Sequence, residues 1–129
     1  MDGLLLIAKP PGVTSHDVVE VIRRRLGLRR VGHTGTLDPM AEGLLIVLVG
    51  RATKHQQALQ GHDKVYETVL QLGAQTDTGD ATGTVIRTAA LPAMDRARLE
   101  EVLASFRGPL AQIPPAYSAV KVQDRKSVV

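Results

Sequence analysis

Between residues 32 and 39 the chain reads Gly32-His33-Thr34-Gly35-Thr36-Leu37-Asp38-Pro39. An imidazole, two hydroxyls and a carboxylate are thus presented within one stretch punctuated by glycine and closed by proline. Glycine permits positive φ and close approach of a ligand, while proline fixes its own φ. An aspartate held this way has a defined position, and as an anion at neutral pH it is available as a nucleophile or a base. A second reading stands beside that one, since an aspartate before a proline often hydrogen-bonds its own turn. His33 is open to four readings: a metal ligand, a ring that stacks on a base, a proton acceptor, or a packed loop residue. The other histidines, His16, His55 and His62, are scattered and there is no cysteine, so the pattern argues against a metal centre. The loop is not a P-loop, because no Gly-Lys-Ser/Thr follows four residues after a glycine.

Other residues invite the same weighing. Tyr66 lies in an alternating stretch, either as a core tyrosine or as a flat ring for an everted base. Lys9-Pro10-Pro11-Gly12 reads as a rigid turn with a cation. Asp77-Thr78-Gly79 spells the aspartic-protease triplet, but polar Gln75-Thr76 precede it where an apolar strand belongs, so a polar turn is the better reading. Gln112-Ile113-Pro114-Pro115-Ala116-Tyr117 suits a rigid structural segment better than a proline-type recognition ligand.

These residues need elements to hold them. Residues 3–9 read as a buried strand through Leu4-Leu5-Leu6-Ile7, ended by Pro10-Pro11-Gly12. Thr14-Ser15-His16-Asp17 has the form of a capping box. Val18, Val19, Ile22 and Leu26 follow at helical spacing up to Gly27, predicting a helix over 15–26. Residues 31–43 read as a structured loop and 44–49 as a strand. A short helix is expected over 53–59, a strand over 64–72 with Tyr66, Thr68, Leu70 and Leu72 on one face, a polar loop over 73–83 and a short strand over 84–88. Leu99, Val102, Leu103 and Phe106 place an amphipathic helix over 95–106, and a last strand is expected over 118–122. The fold class is α/β (α+β), and the strand order does not follow from the pattern.

Composition narrows the function. Residues 1–60 hold eight Lys/Arg against five Asp/Glu, and residues 61–129 hold eight against eight, so the first half carries the whole net charge of +3. Arg23, Arg24, Arg25, Arg29 and Arg30 focus it. Such a patch attracts phosphate through counterion release, though a solvated helix end beside a favourable dipole has the same composition. Aromatic residues make up 2% of the chain, too few for a stacking platform of the RNA-recognition-motif kind. No apolar run approaches the roughly 20 residues of a membrane span. The N-terminus lacks a basic region ahead of its apolar run, and the absence of cysteine fits a cytoplasmic protein.

Taken in order, five blocks resemble the TruB family of pseudouridine synthases from about residue 3 to about residue 122. They are Lys9-Pro10-x-Gly12-x-Thr14-Ser15, then Gly32 to Leu45 around Asp38, then Gly50-x-Ala52-Thr53-Lys54. Lys64-x-Tyr66 with Leu72-Gly73-x-x-Thr76-Asp77-Thr78-x-Asp80-x-x-Gly83 follows, and Gln112 to Lys121 completes the set. The archaeal and eukaryotic box H/ACA catalytic subunits are similar in the same blocks. The missing basic N-terminal extension favours the bacterial stand-alone type.

The resemblance implies a mixed, largely antiparallel sheet flanked by helices. It also implies isomerisation of uridine to pseudouridine at position 55 in the T loop of tRNA by a monomeric protein without metal or cofactor. By similarity Asp38 starts glycosidic cleavage; attack at C1′, attack at C6 and a glycal route all remain open. Tyr66 would stack on the target base and His33 would contact the everted nucleotides. Lys9 and Lys64 would be structural or phosphate-directed. After Lys121 the pattern departs, with Asp124 where the family has glycine and no following tyrosine. The expectation is therefore a partial catalytic domain over 1–129, lacking its later half and a C-terminal RNA-binding domain, and alone weakly folded or aggregation-prone with little activity. A non-catalytic tRNA-binding module is the alternative.

Overall fold

The computed structural model describes residues 1–113, and the chain divides into two units, Met1–Tyr66 and Glu67–Val129. In the first unit, β1 (Gly3–Lys9) runs into α1 (Ser15–Leu26), then β2 (Val31–His33) and β3 (Gly43–Val49). The strands form an antiparallel sheet in the order β1-β3-β2. Leu5 pairs with Val47 and Ile7 with Leu45, and His33 also pairs with Val47 from the other side.

Period-two alternation explains the core. Leu5, Ile7, Leu45, Val47 and Val49 share one face, and Val19 and Ile22 of α1 pack there with Val31. Leu48 is buried on the opposite face, where Leu4, Leu6 and Leu44 remain exposed. The continuous apolar run of β3 therefore serves both faces.

The helix starts and stops where its sequence says. Thr14 Oγ1 accepts from Asp17 N, and the Asp17 carboxylate accepts from Thr14 N and Oγ1 at 2.8 and 2.7 Å. Gly27 closes the other end with φ 63°, a conformation that glycine adopts without penalty.

A 3₁₀ turn over Gly50–His55 and α2 (Gln56–Gln60) follow β3, close to the short helix expected over 53–59. Two stretches between residues 31 and 72 differ from expectation. Residues 31–33 form a strand within the expected loop, because the backbone groups of β3 need partners on that side. Residues 64–72 form no strand. The described residues pair only as β1–β3, β2–β3 and β4–β5, and alternation without a hydrogen-bonded neighbour does not make a strand. Val65 and Val69 are accordingly 98% and 96% exposed.

In the second unit β4 (Ala74–Thr76) and β5 (Val85–Thr88) form an antiparallel hairpin, and α3 (Arg96–Ala104) is capped by Asp95. The strand expected over 118–122 lies outside the described residues. No helix among the described residues is long and apolar enough to cross a membrane.

The Thr14 hydroxyl and then its backbone N–H hold the Asp17 carboxyl below the ordinary aspartate range. A depressed folded pKa means that the cap contributes stability above the ordinary value and loses it as pH falls through the folded one, from about pH 4 downward. In an NMR titration Asp17 should show a lowered midpoint that returns toward the ordinary value in Thr14→Val. The acid-side loss of melting temperature should be smaller in that variant.

Candidate active site

The loop carrying Asp38 is held from below by residues that precede it in sequence. Lys9, the last residue of β1, is 1% exposed. Its ammonium donates to Val13 O at 2.8 Å, Pro10 O at 3.0 Å and Pro39 O at 3.4 Å. Gly12 N–H donates to the same Pro39 oxygen at 2.7 Å, and Gly12 sits at φ 85°. Ser15, also 1% exposed, accepts from Leu37 N at 2.9 Å and donates to Leu37 O at 3.2 Å. The residues on both sides of Asp38 are thus fixed by the end of β1 and the start of α1.

Asp38 itself is exposed. Its turn is closed by backbone, with Ala41 N–H donating to Asp38 O at 3.0 Å, so the carboxylate is not what closes the turn. Thr34 anchors the start of the loop. It is buried, and its N–H donates to Ile46 O at 3.0 Å. His33 is half-buried, with Nδ1 2.8 Å from Gly35 O. A carbonyl only accepts, so Nδ1 carries a hydrogen and donates it to Gly35 O. Lys64 donates to Gln60 O at 2.6 Å and His62 O at 2.9 Å. Its Cε also lies 4.0 Å from where a Cβ at Gly35 would sit. Tyr66 is 68% exposed.

The structure separates the roles left open for two sets of residues. Of the roles open to Lys9, the geometry supports the structural one, since its cation is spent on three carbonyls beneath the loop. The five arginines also separate. The Arg23 guanidinium turns inward to Val31 O at 2.9 Å and to Glu20, tying the end of α1 to β2 and leaving little for phosphate. Arg24, Arg25, Arg29 and Arg30 are exposed. Among the described residues no group of three or more His, Asp or Glu side chains is arranged to hold a metal ion.

Sequence reasoning missed the Ser15 clamp, because a serine beside a capping threonine looks like part of the cap. It also missed the turn around Asp80. There one carboxylate oxygen accepts from Thr82 Oγ1 at 2.6 Å, Thr82 N at 2.8 Å and Thr78 Oγ1 at 2.8 Å. The hydroxyls of Thr82 and Thr78, then the Thr82 backbone, hold this carboxyl below the ordinary range. Asp77 accepts from Thr84 N at 2.8 Å, so the Asp77-Thr78-Gly79 triplet is a polar turn. A Cβ at Gly83 would fall inside contact distance of Thr78 Oγ1 and Asp77 Oδ1.

Comparison with known proteins gives the geometry a setting. The model of the TruB family pseudouridylate synthase N-terminal domain matches residues 23–128. The tRNA pseudouridine synthase B of Caldanaerobacter subterraneus subsp. tengcongensis is 49% identical over 126 residues, covering 98% of this chain and 44% of that protein. That of Chromohalobacter salexigens is 51% identical over 125 residues, covering 97% and 41%. That of Opitutus terrae is 49% identical over 122 residues, covering 95% and 51%. The chain therefore spans about half the length, or less, of these curated relatives. A chain in a crystal structure of a Cbf5–Nop10–Gar1 complex matches 92% of this chain and 31% of its own length, at 31% identity and a TM-score of 0.60.

Replacing Lys9 with methionine removes the ammonium that pairs with the Pro10 and Val13 carbonyls, and leaves Pro39 O to Gly12 N–H alone. The expected cost is about 1–3 kcal/mol in urea unfolding, the range for losing one partner of buried polar groups. Arginine should not restore it, since a planar fork does not replace a compact ammonium.

Proposed function

Because this chain belongs to the TruB family of pseudouridylate synthases, we propose that the protein converts uridine to pseudouridine at position 55 in the T loop of tRNA, with Asp38 as the attacking group. The observation that carries this reading is the setting of Asp38. Its carboxylate is exposed while the residues on both sides of it are anchored, Leu37 by Ser15 and Pro39 by Gly12 and Lys9. Anchored neighbours and a free carboxylate are what a group that must meet a substrate atom requires.

A uridine inside a folded loop must leave its stack before a carboxylate reaches it, at a cost of a few kcal/mol. The exposed Tyr66 ring and the His33 imidazole offer stacking surfaces worth roughly 1–3 kcal/mol per base. Arg24, Arg25, Arg29 and Arg30 offer phosphate contacts that position the RNA without reading its sequence. Asp38 starts cleavage of the N1–C1′ bond. The uracil turns while held, C5 bonds to C1′, the C5 proton departs and N1 gains one, so the atoms balance without an oxidant or reductant. Lys64, beside Gly35, borders the same loop and serves to hold its approach.

Asp38→Asn should reduce tritium release from C5-labelled uridine in a tRNA transcript to background, with tRNA affinity within a few-fold of wild type. Product formation at the wild-type rate would remove Asp38 from the chemistry. Wild-type binding without turnover would assign a non-catalytic RNA-binding module instead. Alanine at Arg24, Arg25, Arg29 and Arg30 together should weaken tRNA binding at every sequence. It should also flatten the dependence of log K on log salt by about 0.7–0.9, the single-strand to duplex range, for each phosphate that the variant no longer neutralises.

A further inference from the structure

We propose that Ser15 is a positioning residue for Asp38: its hydroxyl seats Leu37 so that the carboxylate one residue later is aimed, and its loss slows the chemistry without weakening RNA binding. The inference rests on the isomerase reading for its kinetic part and on geometry for the rest.

Ser15 is not the cap of α1, because Thr14 does that work through Asp17. This frees the Ser15 hydroxyl to take both backbone groups of a single residue far along the chain. It accepts from Leu37 N at 2.9 Å and donates to Leu37 O at 3.2 Å. Leu37 also packs its side chain against the core formed by α1, β2 and β3. The Leu37 carbonyl lies in the peptide plane that joins Leu37 to Asp38. Holding that oxygen therefore holds the plane from which the aspartate side chain departs. Ser15 itself is 1% exposed, while Leu37 is half-buried, so the hydroxyl side of the clamp is shielded and its deletion leaves the Leu37 groups short of that partner. Pro39 on the far side is held by Gly12 and Lys9. Releasing Leu37 alone would let the carboxylate swing about a fixed Pro39 and leave the RNA-facing side chains in place.

Three variants of the 129-residue chain test this. Ser15→Ala removes the hydroxyl, Ser15→Cys keeps the shape with a weaker hydrogen-bonding group, and Ser15→Thr keeps the hydroxyl. Amide exchange is read by NMR at Leu37 and along β3. Tritium release from C5-labelled uridine in a tRNA transcript is read in single turnover over a range of RNA concentrations.

The Ala and Cys variants should exchange Leu37 at least about tenfold faster with β3 unchanged. Their saturating rate should fall about tenfold to hundredfold, the scale of a small misplacement of a reacting group. The half-saturating RNA concentration should stay within about twofold, and Ser15→Thr should regain most of the rate. An undiminished rate in Ser15→Ala, or equal losses of rate and affinity, overturns the inference. If Ser15→Ala also loosens β3, Ser15→Cys decides. A wild-type chain that binds tRNA but releases no tritium defeats the isomerase reading instead. Leu37 exchange then decides alone, and unchanged protection in Ser15→Ala and Ser15→Cys overturns the clamp.

Discussion

A loop that offers a charged side chain to a partner cannot also use that side chain to hold itself together. Its backbone groups must be satisfied from elsewhere, because buried peptide groups left unpaired are costly. In this chain the donors and acceptors come from the short connector between β1 and α1. Lys9 and Gly12 converge on the Pro39 carbonyl, and Ser15 takes both groups of Leu37. The sheet exists, in effect, to bring that connector under the aspartate loop, since β1 and β3 pair along their whole length from Gly3↔Val49 to Lys9↔Gly43. The last pair places the start of the connector directly beside the end of the loop.

Charge on the surface follows a similar division between holding and offering. Arg23 is consumed by Val31 and Glu20, while its neighbours Arg24 and Arg25 remain exposed on the same helix end. In the second unit Asp80 is likewise consumed, gathering two threonine hydroxyls and a backbone N–H into one turn. Residue type alone does not say whether a charge is structural or available. The partners that the fold brings within reach, backbone and side chain alike, decide it.

Much of the fold was legible from pattern. The helix 15–26 carries a capping box, a helical apolar stripe and a terminal glycine, three independent signals that agree. Strands β1 and β3 show as short apolar runs between turn residues. What stayed hidden depends on partners distant in sequence. β2 is a three-residue strand, too short to show a period. The strand order β1-β3-β2 has no signature in any one segment. Residues 64–72 alternate well yet have no neighbour to pair with among the described residues. At the site, Asp38, His33 and the glycines stood out because their types are unusual in combination. Lys9 read ambiguously because a lysine's default is solvent, and Ser15 was absorbed into the cap because its real contact lies at Leu37.

The double hold on Pro39 and Leu37 makes the connector between Lys9 and Ser15 a ruler. Its first and last residues each reach a fixed point on the opposite loop, so its length is set by the separation of those points and not by its own conformation. An insertion or deletion there would leave β1 and α1 each able to form and would break the correspondence between them. Substitutions at side chains that make neither contact, such as those of Pro11 and Val13, leave that measure intact, whereas a change in residue count does not.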